Sequence, residues 1–454
     1  MANEPEPMLS VEDAQERLLS AVGEPLPGEN VPLADAFDRV LAEPIRSALD
    51  LPPWDNSSMD GFAVRAADTS DATPASPVRL RVVGEVRAGG SSDVEVPPGC
   101  AVRIATGAPV PSSADAVVPV EATIVYEAAG AFAPGDISRV GSPRSLGFRT
   151  SEPLPEAFLV TGAVEPGAYI RRRGEDVRAG TQVLEPHVRL GPAQIALAAA
   201  VGLGSLRVHR RPVAGVLSTG DELRYPGQAL GASGIPDANR PGLQAMCSAV
   251  GARAVDLGIA GDSLESVLGS LRPAIETSDL LIVSGGVSVG PYDVVRAAFE
   301  GLGRVELWRV AVQPGKPFAF GRSEPRGSDG RQVLLFGLPG NPVSALVTFQ
   351  LFVRPAIQLM SGLLGPVADT DRAVTEDGLV KAVGRRGYLR VVVARDDRGA
   401  PIRDGEGRLR VRLAGGQGSH VLSAMTAADA LAVVPESVEH LEPGAEVEIR
   451  WLRT

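Results

Sequence analysis

The chain contains few cysteines and few aromatic residues. Its 454 residues include only two cysteines, Cys100 and Cys247. Two are too few for a disulfide framework or a four-thiolate zinc site, so we expect two buried, reduced thiols. The 3 tryptophans, 5 tyrosines and 11 phenylalanines leave little material for stacking nucleic-acid bases. These absences exclude a disulfide-rich scaffold and argue against a base-stacking surface.

Lysine is almost absent as well, and charge is unevenly distributed along the chain. Of the 44 basic residues only Lys316 and Lys381 are lysines, and 55 acidic residues bring the net charge to −11. The first 60 residues hold 13 acidic and 3 basic side chains, so the rest of the chain is nearly neutral. A nucleic-acid-binding surface needs dense positive charge to displace counterions from phosphates. The charge balance therefore predicts no nucleic-acid partner.

Long apolar runs are also missing. No apolar run reaches the ~18–20 residues that span a bilayer, and the alanine-rich stretch 195–206 falls short. The N-terminus shows no basic start followed by an apolar core, which predicts that there is no signal peptide. We therefore expect a soluble, cytoplasmic protein with no membrane partner.

Glycine and proline, by contrast, are abundant, with 52 and 38 residues. This composition favours tight turns, short strands and glycine-rich loops. Ser10 is a suitable N-cap for an amphipathic helix that ends before Pro25. Residues 51–119 contain short alternating runs typical of strands. Residues 127–160 show no sustained period, and we expect a loop or an insertion there.

The sequence pattern becomes regular in the second half of the chain. The predicted strands are 213–217, 252–259, 280–283, 305–310 and 333–336, and the predicted helices are 240–250, 263–276, 292–300 and 342–360. Apolar strands that alternate with helices are typical of βαβ units and predict a parallel sheet covered on both faces. After Pro366 short alternating strands return, which predicts a small C-terminal β-barrel or sandwich of about 90 residues.

Glycine-rich and polar segments follow each predicted strand of this region. They are residues 218–222, 261–262, 284–290 with Asp293, 313–317 and 337–342 with Ser344. Ligands bind outside the carboxyl ends of the strands in open α/β sheets. Glycines there let backbone N–H groups approach an anion, and helix N-termini add favourable dipoles. Five such segments on one edge, one of them carrying Lys316, predict a pocket for an anion and a polar ring.

Each segment taken alone also has a structural explanation. A Gly-Gly pair is often only a turn, and Asp262 and Asp293 suit helix N-caps. No G-x-G-x-x-G fingerprint opens a βα unit, and the Gly-Lys-Pro sequence lacks the hydroxyl residue of a phosphate-binding Walker loop. A nucleophile elbow and an H-E-x-x-H motif are absent as well. The carboxylates of Asp221, Glu222 and Asp293 are hard oxygen ligands that suit Mg²⁺ beside a phosphate.

Several motifs, in order from Asp55 to His420, resemble those of one enzyme family. They are residues 55–63, 103–109, 171–176, 218–223, 284–290 with Asp293, 314–317, 337–345, 384–385 and 417–420. This set resembles the molybdopterin molybdenumtransferases, a family related to the C-terminal part of gephyrin and to its plant counterpart. The resemblance covers nearly the whole chain.

The resemblance implies a multidomain α/β plus β fold and a homodimer. A central doubly wound α/β domain that binds molybdopterin would occupy residues 211–362, and a C-terminal β-barrel residues 363–454. A discontinuous domain I would comprise residues 1–50 and 145–210, around a β-rich domain II of residues 51–144. The implied reaction is Mg²⁺-dependent insertion of molybdate into adenylylated molybdopterin, with release of AMP. The adenylyltransferase that acts upstream is a further implied partner.

The resemblance also implies roles for individual residues. Residues that would hold molybdopterin and AMP are Ser218, Thr219, Gly220, Ser284, Gly285, Gly286, Ser288, Gly290, Gly315, Pro339, Gly340 and Asn341. The molybdate site would consist of Gln313, Lys316, Pro317, Ser344, Arg385 and Ser419. Asp221, Glu222 and Asp293 would bind the metal. The implied catalytic residues are Glu222, Asp262, Asp293 and Lys316, with Asp60, Thr106 and Asp176 reaching the pocket of the partner subunit. For Thr106 and Asp176 the alternative is a turn or cap role within their own domain.

Two departures from the family pattern concern this site. Gln313 stands where many relatives carry lysine, which leaves two alternatives: Arg309, four residues earlier, compensates for the missing charge, or the affinity for molybdate is lower. Gly387 stands before Tyr388 where relatives usually have an acidic residue. Two alternative functions stay open: molybdopterin adenylylation, whose enzymes carry a Thr-Gly-Gly-Thr-Gly type loop, and a non-enzymatic molybdopterin-binding scaffold.

Overall fold

The computed structural model describes residues 8–125, 154–286, 294–326, 330–365 and 369–452. The chain forms two compact units, one of residues 1–43, 186–191 and 205–454, the other of residues 44–185 and 192–204. The α-helices of the described ranges are α1 (Val11–Val22), α2 (Pro192–Ala200), α3 (Asn239–Ala249), α4 (Leu264–Ile275), α5 (Val294–Glu300), α6 (Pro342–Thr348), α7 (Arg354–Met360) and α8 (Leu422–Ala427).

The smaller unit is built around a six-stranded sheet. The strands that precede α2 are β1 (Gly28–Pro32), β2 (Ile45–Arg46), β3 (Asn56–Ser57), β4 (Gly61–Val64), β5 (Val78–Val86), β6 (Cys100–Ile104), β7 (Ala116–Pro119), β8 (Thr123–Val125), β9 (Ala157–Val160), β10 (Ile170–Arg171) and β11 (Gln182–Leu184). The sheet has the order β7-β4-β6-β5-β9-β8. Its core contains the stacked rings of Phe62 and Phe158, whose centroids lie 3.9 Å apart.

The expectation of a loop over residues 127–160 is wrong at its end. Ala157–Val160 forms β9, which pairs with β5 and β8 because Phe158 and Val160 are fully buried in the sheet's core. Four residues are too short a run to show a period in the sequence. Residues 126–153 lie outside the described part of the chain.

The larger unit contains the second six-stranded sheet. The strands between α2 and α6 are β12 (Ser205–His209), β13 (Val213–Thr219), β14 (Leu223–Arg224), β15 (Ile235–Pro236), β16 (Arg253–Ala260), β17 (Leu280–Ser284), β18 (Gly303–Arg309), β19 (Val312–Gln313), β20 (Pro317–Ser323) and β21 (Leu334–Leu338). The sheet has the order β16-β13-β17-β21-β20-β18, and β1 pairs with β12 outside it.

One strand of this sheet corrects the expectation that all its strands are parallel. The pairs β13–β16, β13–β17 and β17–β21 are parallel, but β20 is antiparallel to both β21 and β18. The sequence analysis did not predict β20. Because β18 is antiparallel to β20, it runs in the same direction as β21. The segment that follows β18, with Lys316, therefore belongs to the same carboxyl edge as the other predicted loops.

Helices cover both faces of the sheet, which confirms the doubly wound α/β fold. Alternate residues of β17 point to opposite faces: Leu280 and Ile282 pack in one core cluster, Leu281 and Val283 in the other. The first cluster also contains residues of α1, α3, α6 and α7, and the second contains residues of α4 and α5. The predicted first helix is confirmed, since Ser10 Oγ accepts a hydrogen bond of 3.0 Å from the Asp13 backbone N–H.

The helical segment Pro342–Met360 consists of α6, a π-helical turn (Phe349–Val353) and α7. This segment corrects the expectation that no apolar stretch is long enough to span a bilayer. Within the described ranges it is the one helical segment long and apolar enough to span a membrane, and 72% of its 18-residue apolar window is buried inside the protein. It packs in the core that also contains β13 and β17. Both cysteines are buried as expected, and burial raises the pKa of the Cys247 thiol to about 12.

The C-terminal part of the larger unit forms the predicted β-barrel. Its strands are β22 (Thr370–Thr375), β23 (Leu379–Val380), β24 (Arg386–Val393), β25 (Leu409–Leu413), β26 (Ala430–Val434), β27 (His440–Leu441) and β28 (Glu446–Trp451). The order β24-β25-β22-β28-β26 is closed by pairing of β24 with β26, and β19 adds to β24 from outside. Leu389 and Val391 face the barrel core, whereas Tyr388 joins the core of the α/β sheet.

We predict that the Asp279 carboxylate is essential for the stability of the amino edge of the α/β sheet. It is 4% exposed and accepts hydrogen bonds from the Val213 N–H (2.8 Å), from both Nη atoms of Arg210 (2.6 and 2.8 Å) and from Arg331. Asp279→Ala would leave two guanidinium groups without their carboxylate, and we expect a loss of about 3–5 kcal/mol of stability.

Urea unfolding followed by circular dichroism measures this loss. The matched control is Glu300→Ala, which breaks an ion pair with Arg296 whose side chains are 52% and 49% exposed. Exposed pairs of this kind contribute less than about 1 kcal/mol. Equal shifts of the unfolding midpoint in the two variants would contradict the assignment.

Candidate functional site

Two loops at the carboxyl edge of the α/β sheet are joined by their side chains. Thr219 ends β13, and its Oγ1 donates to Asp262 Oδ1 at 3.1 Å. The backbone N–H of Asp221 donates to Asp262 Oδ2 at 3.2 Å, and the N–H of Asp262 donates to Asp221 Oδ1 at 3.1 Å. Asp221, Glu222 and Asp262 are exposed. The edge therefore presents a set of carboxylates held in place by backbone donors.

Glycine permits the next loop to approach these residues closely. Gly285 follows β17 with φ +103°, and a Cβ there would lie 2.3 Å from the carbonyl oxygen of Thr219. Its N–H donates to the carbonyl of Leu338 at 3.1 Å, which connects it to the end of β21. The Gly286 position is equally confined, since its Cβ would lie 2.9 Å from Val295. Three of the predicted loops therefore meet through their backbones.

Three residues that hold these loops together were not predicted from the sequence: Asp237, Asn239 and Arg240. Asn239, 9% exposed, donates from Nδ2 to Ser284 Oγ at 2.8 Å and to the Gly340 carbonyl at 2.7 Å. Asp237, 1% exposed, accepts from Ser218 Oγ at 3.0 Å and from Arg240 Nε at 2.9 Å. Asp237 Oδ1 also accepts from the Arg240 backbone N–H at 3.1 Å. An aspartate three residues before the first turn of a predicted helix is a typical N-cap pattern, so the sequence did contain a signal for this residue.

The predicted molybdate residues lie where this edge adjoins the barrel. Gln313 pairs in register with Gly387 of β24, and its Oε1 accepts from the Ala382 N–H at 3.2 Å. Arg309 lies opposite Pro317 in the β18–β20 pair. These contacts connect residues 309–317 to the barrel segment that contains Arg385.

Ser344 and Ser419 are brought to the same end of α6. Ser344 is 4% exposed in the first turn of the helix, and the Val343 N–H donates to the carbonyl of Ser419 at 3.2 Å. A Cβ on Gly315 would lie 3.7 Å from the Ser344 carbonyl. Lys316 is exposed and Arg385 half-buried. No carboxylate of the described residues lies within 4.0 Å of either cation, so both are available to an anion.

The loop that carries Ser419 is fixed by a buried arginine. Arg390, fully buried in β24, donates from Nη2 to the carbonyls of Gly416 (2.8 Å) and Gly418 (3.2 Å). Gln417 pairs with the Arg390 backbone through Oε1 at 2.9 Å and Nε2 at 3.1 Å. Burial lowers the pKa of the Arg390 guanidinium. Arg390 thus positions the serine without reaching the edge itself, and sequence patterns gave no signal for it.

In the smaller unit, Asp60 and Thr106 are hydrogen-bonded to each other. Asp60 Oδ1 accepts from the Thr106 N–H at 2.7 Å and from Thr106 Oγ1 at 2.9 Å. Asp176 is exposed, and its backbone N–H donates to the Leu51 carbonyl at 2.9 Å. Asp55 holds the adjacent arginine run, because the Arg173 N–H and the Arg172 guanidinium bind its carboxylate and lower its pKa.

Several predicted site residues lie outside the described part of the chain. They are Ser288, Gly290 and Asp293. Among the residues that are described, no three His, Cys, Asp or Glu side chains come close enough to hold a metal ion together. The predicted metal set of Asp221, Glu222 and Asp293 therefore stays a prediction.

The chain matches three protein-family models that follow one another along its length. They are the MoeA N-terminal region (domain I and II) over residues 9–202, a probable molybdopterin binding domain over residues 215–359 and the MoeA C-terminal region (domain IV) over residues 372–452.

Curated relatives match over nearly the full length. The molybdopterin molybdenumtransferase of Haemophilus influenzae is 34% identical over 443 residues, 97% of this chain and 98% of the relative. Molybdopterin molybdenumtransferase 2 of Mycobacterium tuberculosis is 37% identical over 425 residues, 92% of this chain and 94% of the relative. A crystal structure of a molybdopterin biosynthesis MoeA protein from Pyrococcus horikoshii superposes with a TM-score of 0.74 at 31% identity, covering 99% of this chain and 100% of that one.

We predict that Gly285 and Gly340, which meet at the candidate site, differ sharply in their tolerance of a methyl group. Gly285→Ala combines a left-handed φ with a 2.3 Å approach to the Thr219 carbonyl, so the loop must move. We expect it to weaken ligand binding at this edge by roughly tenfold or more. Gly340→Ala is the control, since its Cβ would meet Gly285 Cα at an ordinary 3.6 Å. Calorimetric titration with AMP measures both variants, and equal affinities would refute the close-packed arrangement.

Proposed function

This chain belongs to the MoeA family, and we propose that it inserts molybdate into adenylylated molybdopterin and releases AMP. The observation that carries the proposal is the pair of cations at the carboxyl edge of the sheet. Among the described residues Lys316 and Arg385 have no carboxylate within 4.0 Å. Lys316 follows Gly315, which lies next to the Ser344 carbonyl, and the Val343 N–H joins the Ser419 carbonyl to the same helix end. In a chain with a net charge of −11, two such cations beside two hydroxyl groups suit a tetrahedral oxyanion.

The chain's own residues would position two anions that repel each other. Gly285 and Gly286 let their loop pack closely against Thr219, and the loop would present its backbone N–H groups to the phosphorylated pterin. Lys316 and Arg385 would neutralise charge on molybdate, and Ser344 and Ser419 would donate hydrogen bonds to its oxygens. Fixed orientation removes much of the entropic cost of joining two reactants, and preorganised cations stabilise the developing charge.

Magnesium is proposed as the cofactor because the donor chemistry fits it. Asp221 and Glu222 are exposed carboxylates on one loop of the carboxyl edge. Mg²⁺ keeps several water ligands and is usually bound by one or two carboxylates together with substrate phosphate, so no closed protein cage is required. Asp221 and Glu222 would hold the ion, with Asp293 as the further proposed ligand. The bound ion would neutralise the departing phosphate.

Two neighbouring residues fit the proposed site despite their departure from the family pattern. Gln313 is neutral, but its side chain binds the Ala382 N–H and so fixes the barrel against the site loop. Arg309, opposite Pro317, has a buried Nε without a hydrogen-bond partner and would supply the charge that Gln313 lacks. At Gly387 a Cβ would lie 3.0 Å from Lys381 Cδ, so the lysine stem fills the space of a side chain.

The adenylyltransferase alternative is not favoured. The family matches extend on both sides of the molybdopterin-binding region, over residues 9–202 and 372–452, and the relatives that match nearly full length are named molybdenumtransferases. A measurement of molybdate insertion decides between an enzyme and the alternative of a non-enzymatic molybdopterin-binding scaffold. The cytoplasmic location and the upstream adenylyltransferase as a partner stay predictions.

We propose further that the active unit is a homodimer. Asp60 and Thr106 form an exposed hydrogen-bonded pair in the smaller unit, and Asp176 is exposed on the same unit. Each subunit would present these residues to the site of the other. Dimerisation would then complete the active site.

The first test is the reaction itself. Purified protein given adenylylated molybdopterin, molybdate and Mg²⁺ is expected to release AMP and to form active cofactor, and EDTA is expected to stop AMP release. Lys316→Ala should lower kcat/KM by roughly a hundredfold, because a preorganised cation at the developing charge is lost. Arg253→Gln, an exposed cation at the amino end of β16, is the matched control.

Absence of both AMP and cofactor from the wild-type reaction would refute the proposal. ATP-dependent adenylylation of free molybdopterin would favour the adenylyltransferase instead. Unchanged turnover in Lys316→Ala would remove that residue from the site.

The second test concerns the dimer. Asp60→Ala and Lys316→Ala are each expected to abolish most turnover, but the mixture of the two after subunit exchange should regain activity. A mixed dimer would contain one site with neither substitution if Asp60 acts across the interface. Separately assayed variants and an unexchanged mixture are the controls, and no recovery after verified exchange would place Asp60 in its own subunit's site.

A further inference from the structure

A pocket lined by arginines lies in the larger unit, away from the candidate site. It is open to solvent, and the empty space between its lining residues, open solvent included, is about 460 Å³. The charged side chains that line it are Asp38, Arg39, Arg189, Arg210, Arg211 and Arg354. Five guanidinium groups therefore share a small volume with one carboxylate.

The pocket lies at the opposite edge of the α/β sheet from the proposed molybdate site. Arg210 and Arg211 precede β13, whereas Ser218 and Thr219 end it. Residues 249–251, at the end of α3, line the same pocket. At about 3.3 Å per residue, the seven residues of β13 separate the two edges by roughly 20 Å. No residue proposed for the molybdate site lines the pocket.

Three of the five arginines are paired with carboxylates. Arg39 is paired with Glu29, Arg189 with Asp38, and Arg210 with Asp279 at 2.6 Å. Of these carboxylates only Asp38 lines the pocket, and it is already engaged by Arg189. The pairs thus account for three positive charges.

Arg211 and Arg354 are the remaining two. Within the described residues neither has a carboxylate within 4.0 Å, and Arg354 Nη1 donates only to Gln350 Oε1, at 3.0 Å. Arg354 is half-buried on α7, and burial together with the positive charge of Arg189 lowers its pKa, against the attraction of Asp369. A partly buried cation beside a second cation is unfavourable unless an anion joins them.

Helix ends do not account for these cations. The carboxyl ends of α3 and α7 face the pocket through Val250 and Ser361, and helix C-termini attract positive charge. In the described ranges, however, the pocket arginines donate to backbone carbonyls only at His209 and Arg211, not at the helix ends. The two unpaired guanidinium groups therefore keep donors for a ligand.

We propose that this pocket binds a tetrahedral oxyanion, as inorganic phosphate or as the phosphoryl group of a small metabolite, with Arg354 and Arg211 as its principal donors. The planar guanidinium fork matches two oxygens of a phosphate at once. Among the described residues that line the pocket there is no Phe, Tyr or Trp, and His209 is the one aromatic ring. Arg189 and Arg210, although each is paired with a carboxylate, would add to the positive potential of the pocket.

Calorimetric titration with inorganic phosphate in phosphate-free buffer tests the proposal. It is performed on Lys316→Ala, in which binding at the candidate active site is weakened, and on the double variant with Arg354→Gln. We expect one phosphate per chain in the first, and affinity lower by about tenfold or more in the second. AMP is titrated into the same two variants, and because it also binds at the candidate active site, only AMP binding that is lost on Arg354→Gln is assigned to this pocket. Such a loss indicates that the pocket accepts a phosphoryl ester, and its absence indicates free phosphate.

Arg211→Gln, an exposed substitution, is the second variant and should weaken binding several-fold without affecting the fold. Melting temperatures in the absence of phosphate control for folding, and added phosphate should raise them only where Arg354 is present. No phosphate binding in Lys316→Ala, or equal binding after Arg354→Gln and Arg211→Gln, would overturn the proposal. Loss of AMP release in Lys316→Ala with retained phosphate binding would separate this site from the proposed reaction.

Discussion

Electrostatic repulsion between two anionic reactants is the constraint on which this structure depends. Molybdate and a phosphorylated pterin must be held side by side by a chain whose net charge is −11. Bulk charge cannot do this, so the proposed site would depend on a few cations placed without carboxylate partners. Lys316 and Arg385 meet that requirement among the described residues, whereas arginines such as Arg210 and Arg240 are consumed in ion pairs.

Backbone geometry makes that placement possible. Parallel strands bring their carboxyl ends to one edge, and Gly285 allows two of the loops to touch where a side chain would collide with Thr219. Buried polar residues then fix the loops: Asn239 joins Ser284 to Gly340, and Arg390 holds the turn that carries Ser419. The site is consequently rigid where its ligands need orientation, and its charged side chains extend from that frame.

The sequence predicted most of this architecture because the relevant signals are local. Runs of buried aliphatic residues identified β13 and β17, and Ser10 marked the start of α1. The strand β20 was missed because only its antiparallel pairing between β18 and β21 defines it. Asn239 and Arg390 were missed for a related reason, since their partners Gly340 and Gly416 are distant in the chain. Motif resemblance supplied Arg385 and Ser419, for which no periodicity gave a role.

The distribution of unpaired arginines gives the larger unit two edges of different character. Within the described residues, the carboxyl edge combines glycines, carboxylates and two cations that lack a carboxylate partner, which suits chemistry on a phosphorylated ligand. At the amino edge, the guanidinium groups around Asp279 stabilise the start of β13 and β17. The same edge carries further arginines that outnumber the carboxylates near them. The two proposed sites would thus lie at opposite edges of one sheet, the first reactive and the second purely binding.

The central claim is that a tetrahedral oxyanion binds between the α/β sheet and the barrel, beside Lys316, Arg385 and Ser419. Crystals soaked with molybdate and measured at the molybdenum absorption edge test it directly. We expect an anomalous peak in contact with those three side chains, and its loss in crystals of Lys316→Ala. A peak elsewhere with none at this position, or an unchanged peak in the variant, would contradict it.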